Sequence, residues 1–219
     1  MELDHTARRI LGALLEKRWS TPEQYPLTLN ALVLACNQKS NRDPEVHFEA
    51  FLVEGCLYQL RLSELVTVVE RDVGRTVRYA ERLSEKLDLS RQQQAIVAEL
   101  LLRGPQTSTE LLRRCERMAH FENEGEVEGL LRGMAERGWA QLTPREPGQR
   151  NARWKHLFTP AEEQPPERPH TLVADALHSM DTARPSAPTT ADLHLRLEDL
   201  RAEVAELRSR LDRLDGPKG

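Results

Sequence analysis

Aromatic side chains make up only 5% of this 219-residue chain, which argues against a base-stacking surface for single-stranded nucleic acid. No stretch approaches 18 uninterrupted apolar residues, so no membrane-spanning helix is expected. The segment Met1 to Arg9 lacks the apolar core of a secretory signal, and the expected location is the cytoplasm. The three cysteines, Cys36, Cys56 and Cys115, are odd in number and widely spaced. They set up neither a disulfide framework nor a zinc site. Catalytic signatures are missing too: there is no His-Glu-x-x-His, no Gly-x-Ser-x-Gly and no phosphate-cradling glycine loop with its lysine. Cys115, His120 and Glu122 fall short of a metal-ligand set. Gly125, Gly129 and Gly133 recur at helical spacing and are expected to let a neighbouring helix approach closely. A non-enzymatic protein without cofactor or metal is the expectation.

Charge of one sign is also lacking, since the formal net charge is −4. It is unevenly spread, at −2 over residues 1–88, +2 over 89–160 and −4 over 161–219. The acidic excess therefore equals that of the tail, and the first 160 residues sum to zero. A near-neutral total thus does not exclude a phosphate-binding surface on the folded part.

What is present is a repeat. Ile10-Leu11-Gly12-Ala13-Leu14-Leu15 matches Ile96-Val97-Ala98-Glu99-Leu100-Leu101, and Leu32-Val33-x-x-Cys36 matches Leu111-Leu112-x-x-Cys115. Each copy continues with a third amphipathic segment, roughly 45–64 and 124–137, and two short strands, 65–70 with 75–80 and 139–143 with 152–158. Arg78-Tyr79 corresponds to Arg153-Trp154. Asp43-Pro44 offers an N-cap and a first-turn proline for the third helix of the first copy. Three helices and a hairpin form a winged helix. The expected fold is mainly α with small β wings (α+β), two tandem winged-helix domains at 1–86 and 87–159.

The remainder differs in kind. Six prolines fall among residues 160–189, a density that marks a linker. Within it Leu172, Val173, Ala176, Leu177 and Met180 are spaced for a short docking helix. Residues 190–215 carry a heptad seam of Leu193, Leu197, Leu200, Val204, Leu207, Leu211 and Leu214. This C-terminal coiled-coil helix either pairs two chains into a homodimer or folds back on its own domains.

A winged helix makes duplex DNA the default partner, with cations meeting phosphates. The candidate contacts are Lys39, Asn41 and Arg42 in the polar stretch 37–42, Arg75 and Arg78 in the first wing, and Arg145, Arg150, Arg153 and Lys155 in the second. The stretch 37–42 is equally suited to satisfying helix ends, with Asn37 as C-cap and Asn41 or Asp43 as N-cap. The third helices are acidic, with Glu45, Glu49 and Glu54 in one copy and Glu124, Glu126 and Glu128 in the other. Acids suit a helix N-terminus but would oppose a phosphate wall.

Gln24-Tyr25-Pro26-Leu27-Thr28-Leu29-Asn30-Ala31-Leu32, the block from Ala35 to Pro44 (ACNQKSNRDP), Leu101 to Thr107 (LLRGPQT) and Arg153 to Phe158 (RWKHLF) resemble the bacterial YceH family. The resemblance spans roughly residues 8–158 and implies the same tandem winged-helix fold, with no established biochemical role. The stretch Gly74 to Tyr79 is shorter than the more basic strand pair expected there. Two functions remain open: a DNA-binding, transcription-regulator-like protein contacting phosphates through its wings, or a scaffold that binds protein partners through its acidic third helices.

Overall fold

Helix starts are set locally by short polar side chains that satisfy otherwise unpaired N–H groups. Asp4 accepts from the Ala7 N–H at 2.7 Å and opens α1 (His5–Ser20). Thr28 caps α2 (Leu29–Cys36). Reciprocal capping boxes, Ser90 with Gln93 and Thr107 with Glu110, open α5 (Arg91–Arg103) and α6 (Ser108–Cys115). Asn123 caps α7 (Glu124–Glu136). Two further helices, α3 (Ala50–Leu62) and the short α4 (Leu83–Lys86), have no side-chain cap. The computed structural model describes residues 1–69, 76–145 and 151–159. Arg75, Arg150, the segment 160–189 and the heptad positions Leu193 to Leu214 lie outside the described residues.

Strands β1 (Leu27–Thr28), β2 (Val66–Val69) and β3 (Arg78–Glu81) form an antiparallel sheet in the order β1-β3-β2. Strands β4 (Ala140–Thr143) and β5 (Arg153–His156) form a second, two-stranded one. The result is an α+β fold in which one order of elements occurs twice. Matching contacts recur within the two copies. Leu27 pairs with Tyr79 in the first, and Gln106 bridges to Trp154 in the second. Each pairing sits immediately before the threonine that caps the next helix.

Helices α1 and α5 form the largest helix–helix interface and carry the core. Arg9 to Glu16 and Gln94 to Leu102 are continuous buried runs, as expected of helices covered on all sides. Their close approach rests on Gly12, where a Cβ would lie 2.9 Å from Leu102 Cγ. Gly129 and Gly133 do not play the part expected of them, because a Cβ at either would have no heavy atom within 4 Å.

The third helix of the first copy begins later than its sequence suggests. Asp43-Pro44 does not open it; Glu49 stands at its N-cap. The intervening backbone is captured by tertiary partners instead. The Asp43 N–H donates to Leu102 O at 2.9 Å, and Arg9 Nη2 donates to Pro44 O at 2.5 Å. The Asn37 amide both donates to Phe48 O (2.9 Å) and accepts from its N–H (2.8 Å). Glu45 and Glu49 therefore do not form an acidic first turn, and neither Asn41 nor Asp43 caps the helix. Asn37 is the C-cap of α2, as its position suggested.

Candidate interaction site

The buried runs of α1 and α5 contain charges that must be paired. Glu16 accepts two hydrogen bonds from Arg42, at 3.1 and 2.5 Å, and lies 2.7 Å from Arg117 Nη2. The same Arg117 nitrogen reaches Glu99 at 2.5 Å, while Arg103 stands 3.5 Å from the other Glu99 oxygen. Burial works against the Glu16 charge, but Arg42 and Arg117 hold its carboxyl below the ordinary range. At Glu99 burial prevails and pushes the carboxyl up, against the pull of Arg117 and Arg103. This network joins the loop after α2 to the loop after α6, across the interface of the two copies.

The candidate phosphate contacts distribute unevenly around that network. Arg42 must be taken off the outer surface. It is 5% exposed and also donates to Ala35 O, Asn41 O and Gln38 Oε1. Asn41, in the left-handed backbone region at φ 60°, accepts from Arg103 at 2.7 Å. Arg78 and Arg153 hold equivalent posts. Arg78 donates to Pro26 O at 2.8 Å and Arg153 to Pro105 O at 3.0 Å. Each straps its strand to the turn before the second helix of its copy, and Arg153 is further paired with Glu110. Lys39 and Arg145 are exposed and Lys155 is half-buried. Among the described residues, the seven candidate positions are thus not gathered into one cationic face.

The acids of α7 are also in use. Glu124 accepts from the Ser108 and Thr109 hydroxyls, which hold its carboxyl below the ordinary range. Glu126 accepts from Gln92 and from the Glu122 N–H, and Glu128 stands near Trp154 and Arg132. Cys115 is fully buried and His120 exposed. Burial raises the Cys115 thiol.

A different surface remains, one that motif reading passed over. Helix α3 is apolar on two sides. Val53, Leu57 and Leu60 face the core. Phe51, Tyr58 and Leu62 stand on the outside, 76%, 58% and 64% exposed. Leu34 of α2, which packs on α3, is exposed as well. Large apolar side chains left in water along one helix make it a candidate interaction face. The signal was present in the sequence, as an apolar residue at nearly every turn on both sides of 50–62. Without knowing what α3 packs against, the two stripes could not be sorted into inner and outer.

The profile of a family described as "Protein of unknown function, DUF480" matches residues 3–149. A UPF0502 protein of Pelobacter propionicus is 42% identical over 225 residues, covering 99% of this chain and 98% of that protein. A UPF0502 protein of Shewanella oneidensis is 40% identical over 220 residues, covering 98% of each. One from Solibacter usitatus is 43% identical over 157 residues, covering 72% of this chain and 76% of that protein. No described helix is long and apolar enough to cross a membrane.

Proposed function

The chain belongs to the DUF480 family, and for this member we propose a non-enzymatic, protein-docking function carried by two tandem winged helices. The fold reading is supported by the repeated order of helix, short strand or bridge, two helices and hairpin. In a winged helix the third helix is the element that would enter a major groove. Here the outward face of that helix in the first copy carries Phe51, Tyr58 and Leu62, flanked by the exposed Glu54 and Arg61. That single observation carries the proposal. Phosphates reward cations, whereas apolar rings left in water reward a protein surface.

Docking through the apolar third helix is favoured over docking through acidic ones, because Glu124 and Glu126 of α7 already hold partners at the neighbouring helix starts. Contact with duplex DNA through Lys39, Arg145 and Lys155 is the competing arm of the test. The heptad tail supports self-association of the chain, on the strength of its sequence spacing alone.

The experiment is capture from a cell lysate on the tagged full-length chain, with and without nuclease, for the natural protein, Tyr58→Glu, and Lys39→Ala/Arg145→Ala/Lys155→Ala. The expected result is nuclease-insensitive capture that Tyr58→Glu abolishes and the triple variant keeps. Nuclease-sensitive capture that only the triple variant loses would overturn protein docking in favour of DNA.

A further inference from the structure

The outer face of α3 has a pattern that matches itself. At 100° per residue, Phe51, Gly55, Tyr58 and Leu62 fall within an arc of about 60°. Their steps of four, three and four are the spacing of a two-helix seam. Gly55 is exposed, and a Cβ placed on it would meet nothing within 4 Å. The stripe therefore reads large, absent, large, large, with a recess one turn in from its first member. Glu54 and Arg61 lie together along one flank of it, both exposed and neither in an ion pair among the described residues.

We propose that this face takes the same face of a second copy, with the two α3 helices antiparallel about a two-fold axis between residues 56 and 57. The proposal rests on the protein-docking reading and names its partner. In that register Phe51 meets the second copy's Leu62 at each end, and Tyr58 fills the recess over the second copy's Gly55. The flank bearing Glu54 meets the same flank of the other copy, because a two-fold axis across the seam keeps like flanks together. Each Glu54 then lies within two residues of level with the second copy's Arg61, about 3 Å along the axis, close enough for two opposite-charge pairs. A parallel pairing, with its two-fold along the helix axes, would instead bring unlike flanks together and part Glu54 from the second copy's Arg61. Charge thus selects the direction, and the Gly55 recess selects the register.

The heptad tail is itself expected to join two chains, so mass alone does not decide the matter; register does. The full-length chain is prepared in a Cys56→Ser background as two tagged forms, Phe51→Cys and Leu62→Cys, and treated with a short bifunctional thiol reagent. Cys36 and Cys115 are buried and do not compete. The mixture is expected to crosslink, and each form alone much less, since like residues would stand 11 positions apart, about 16 Å along the axis. Tyr58→Glu is expected to cut the mixed crosslink at least about tenfold, as removal of a central aromatic anchor should. Glu54→Arg should weaken it, and adding Arg61→Glu in the same chain should restore it. Equal crosslinking of like and unlike forms, or none at all, overturns the pairing. If no mixed crosslink forms while Tyr58→Glu still abolishes nuclease-insensitive capture of another protein, docking stands and the second copy is not the partner. If Tyr58→Glu changes neither readout, both fail.

Discussion

Replacing Arg42 with alanine separates a structural arginine from a phosphate contact. The side chain makes two hydrogen bonds to the buried Glu16 carboxylate and two to Ala35 O. Removing one member of a buried, hydrogen-bonded ion pair costs roughly 3–5 kcal/mol, because it strands the other charge. Arg117 remains 2.7 Å from Glu16, so the expected loss is about 2–4 kcal/mol. In a chain of this size that lowers the midpoint of thermal unfolding by on the order of 5–15 °C. Urea denaturation followed by helical circular dichroism measures it directly.

The pH dependence supplies an independent check. The folded Glu16 carboxyl is held below its ordinary value of 4.5. Its contribution is therefore present above that value and is lost as pH falls through the lowered folded one. The penalty of Arg42→Ala should accordingly be largest near neutrality and shrink in acid, where the stranded carboxyl takes up a proton. Arg42→Lys should not recover the loss, since an ammonium cannot make the forked contact. A penalty below about 1 kcal/mol, or one undiminished in acid, would refute this account.

Other outcomes follow from the same contacts. Gly12→Ala drives a Cβ to 2.9 Å from Leu102 Cγ and should cost about 1–3 kcal/mol, whereas Gly129→Ala, with open space around it, should stabilise by about 0.5–1 kcal/mol; paired urea titrations decide both. Arg78→Ala and Arg153→Ala should each lose about 1 kcal/mol of stability and leave the salt slope of any DNA binding unchanged, where a phosphate contact would lower it by about one. His156 is held neutral, its pKa lowered to about 4 first by burial and then by Arg8. The unfolded chain therefore binds the extra proton between about pH 6.5 and 4, and stability should fall through that window by up to about 3 kcal/mol; an acid limb unchanged in His156→Gln would contradict this. Tyr58→Glu should alter stability by less than about 0.5 kcal/mol, since the ring is outside the core, and a larger loss would mean that α3 needs the ring for folding.

Much of the architecture was written locally. A cap and its N–H are three residues apart, so Asp4, Thr28, Ser90, Thr107 and Asn123 announce their helices without reference to the rest of the fold. The repeat also survived as pattern, down to the correspondence of Arg78-Tyr79 with Arg153-Trp154, whose arginines hold equivalent turns. Family membership was likewise legible in uninterrupted blocks such as ACNQKSNRDP.

Tertiary structure decided what these side chains are for. The start of α3 moved from 45 to Ala50 because Arg9, Asn37 and Leu102, remote in sequence, claim the backbone after Asp43. Arg42 looked like one more exposed cation in a polar loop, until folding placed it against Glu16, 26 residues away. A long guanidinium is defined by its reach, and its partner cannot be read from its neighbours in the chain. The outer stripe of α3 is the same problem in apolar form. Periodicity shows that a helix has two apolar sides, but only the packing of Val53, Leu57 and Leu60 against the core shows that Phe51, Tyr58 and Leu62 face outward.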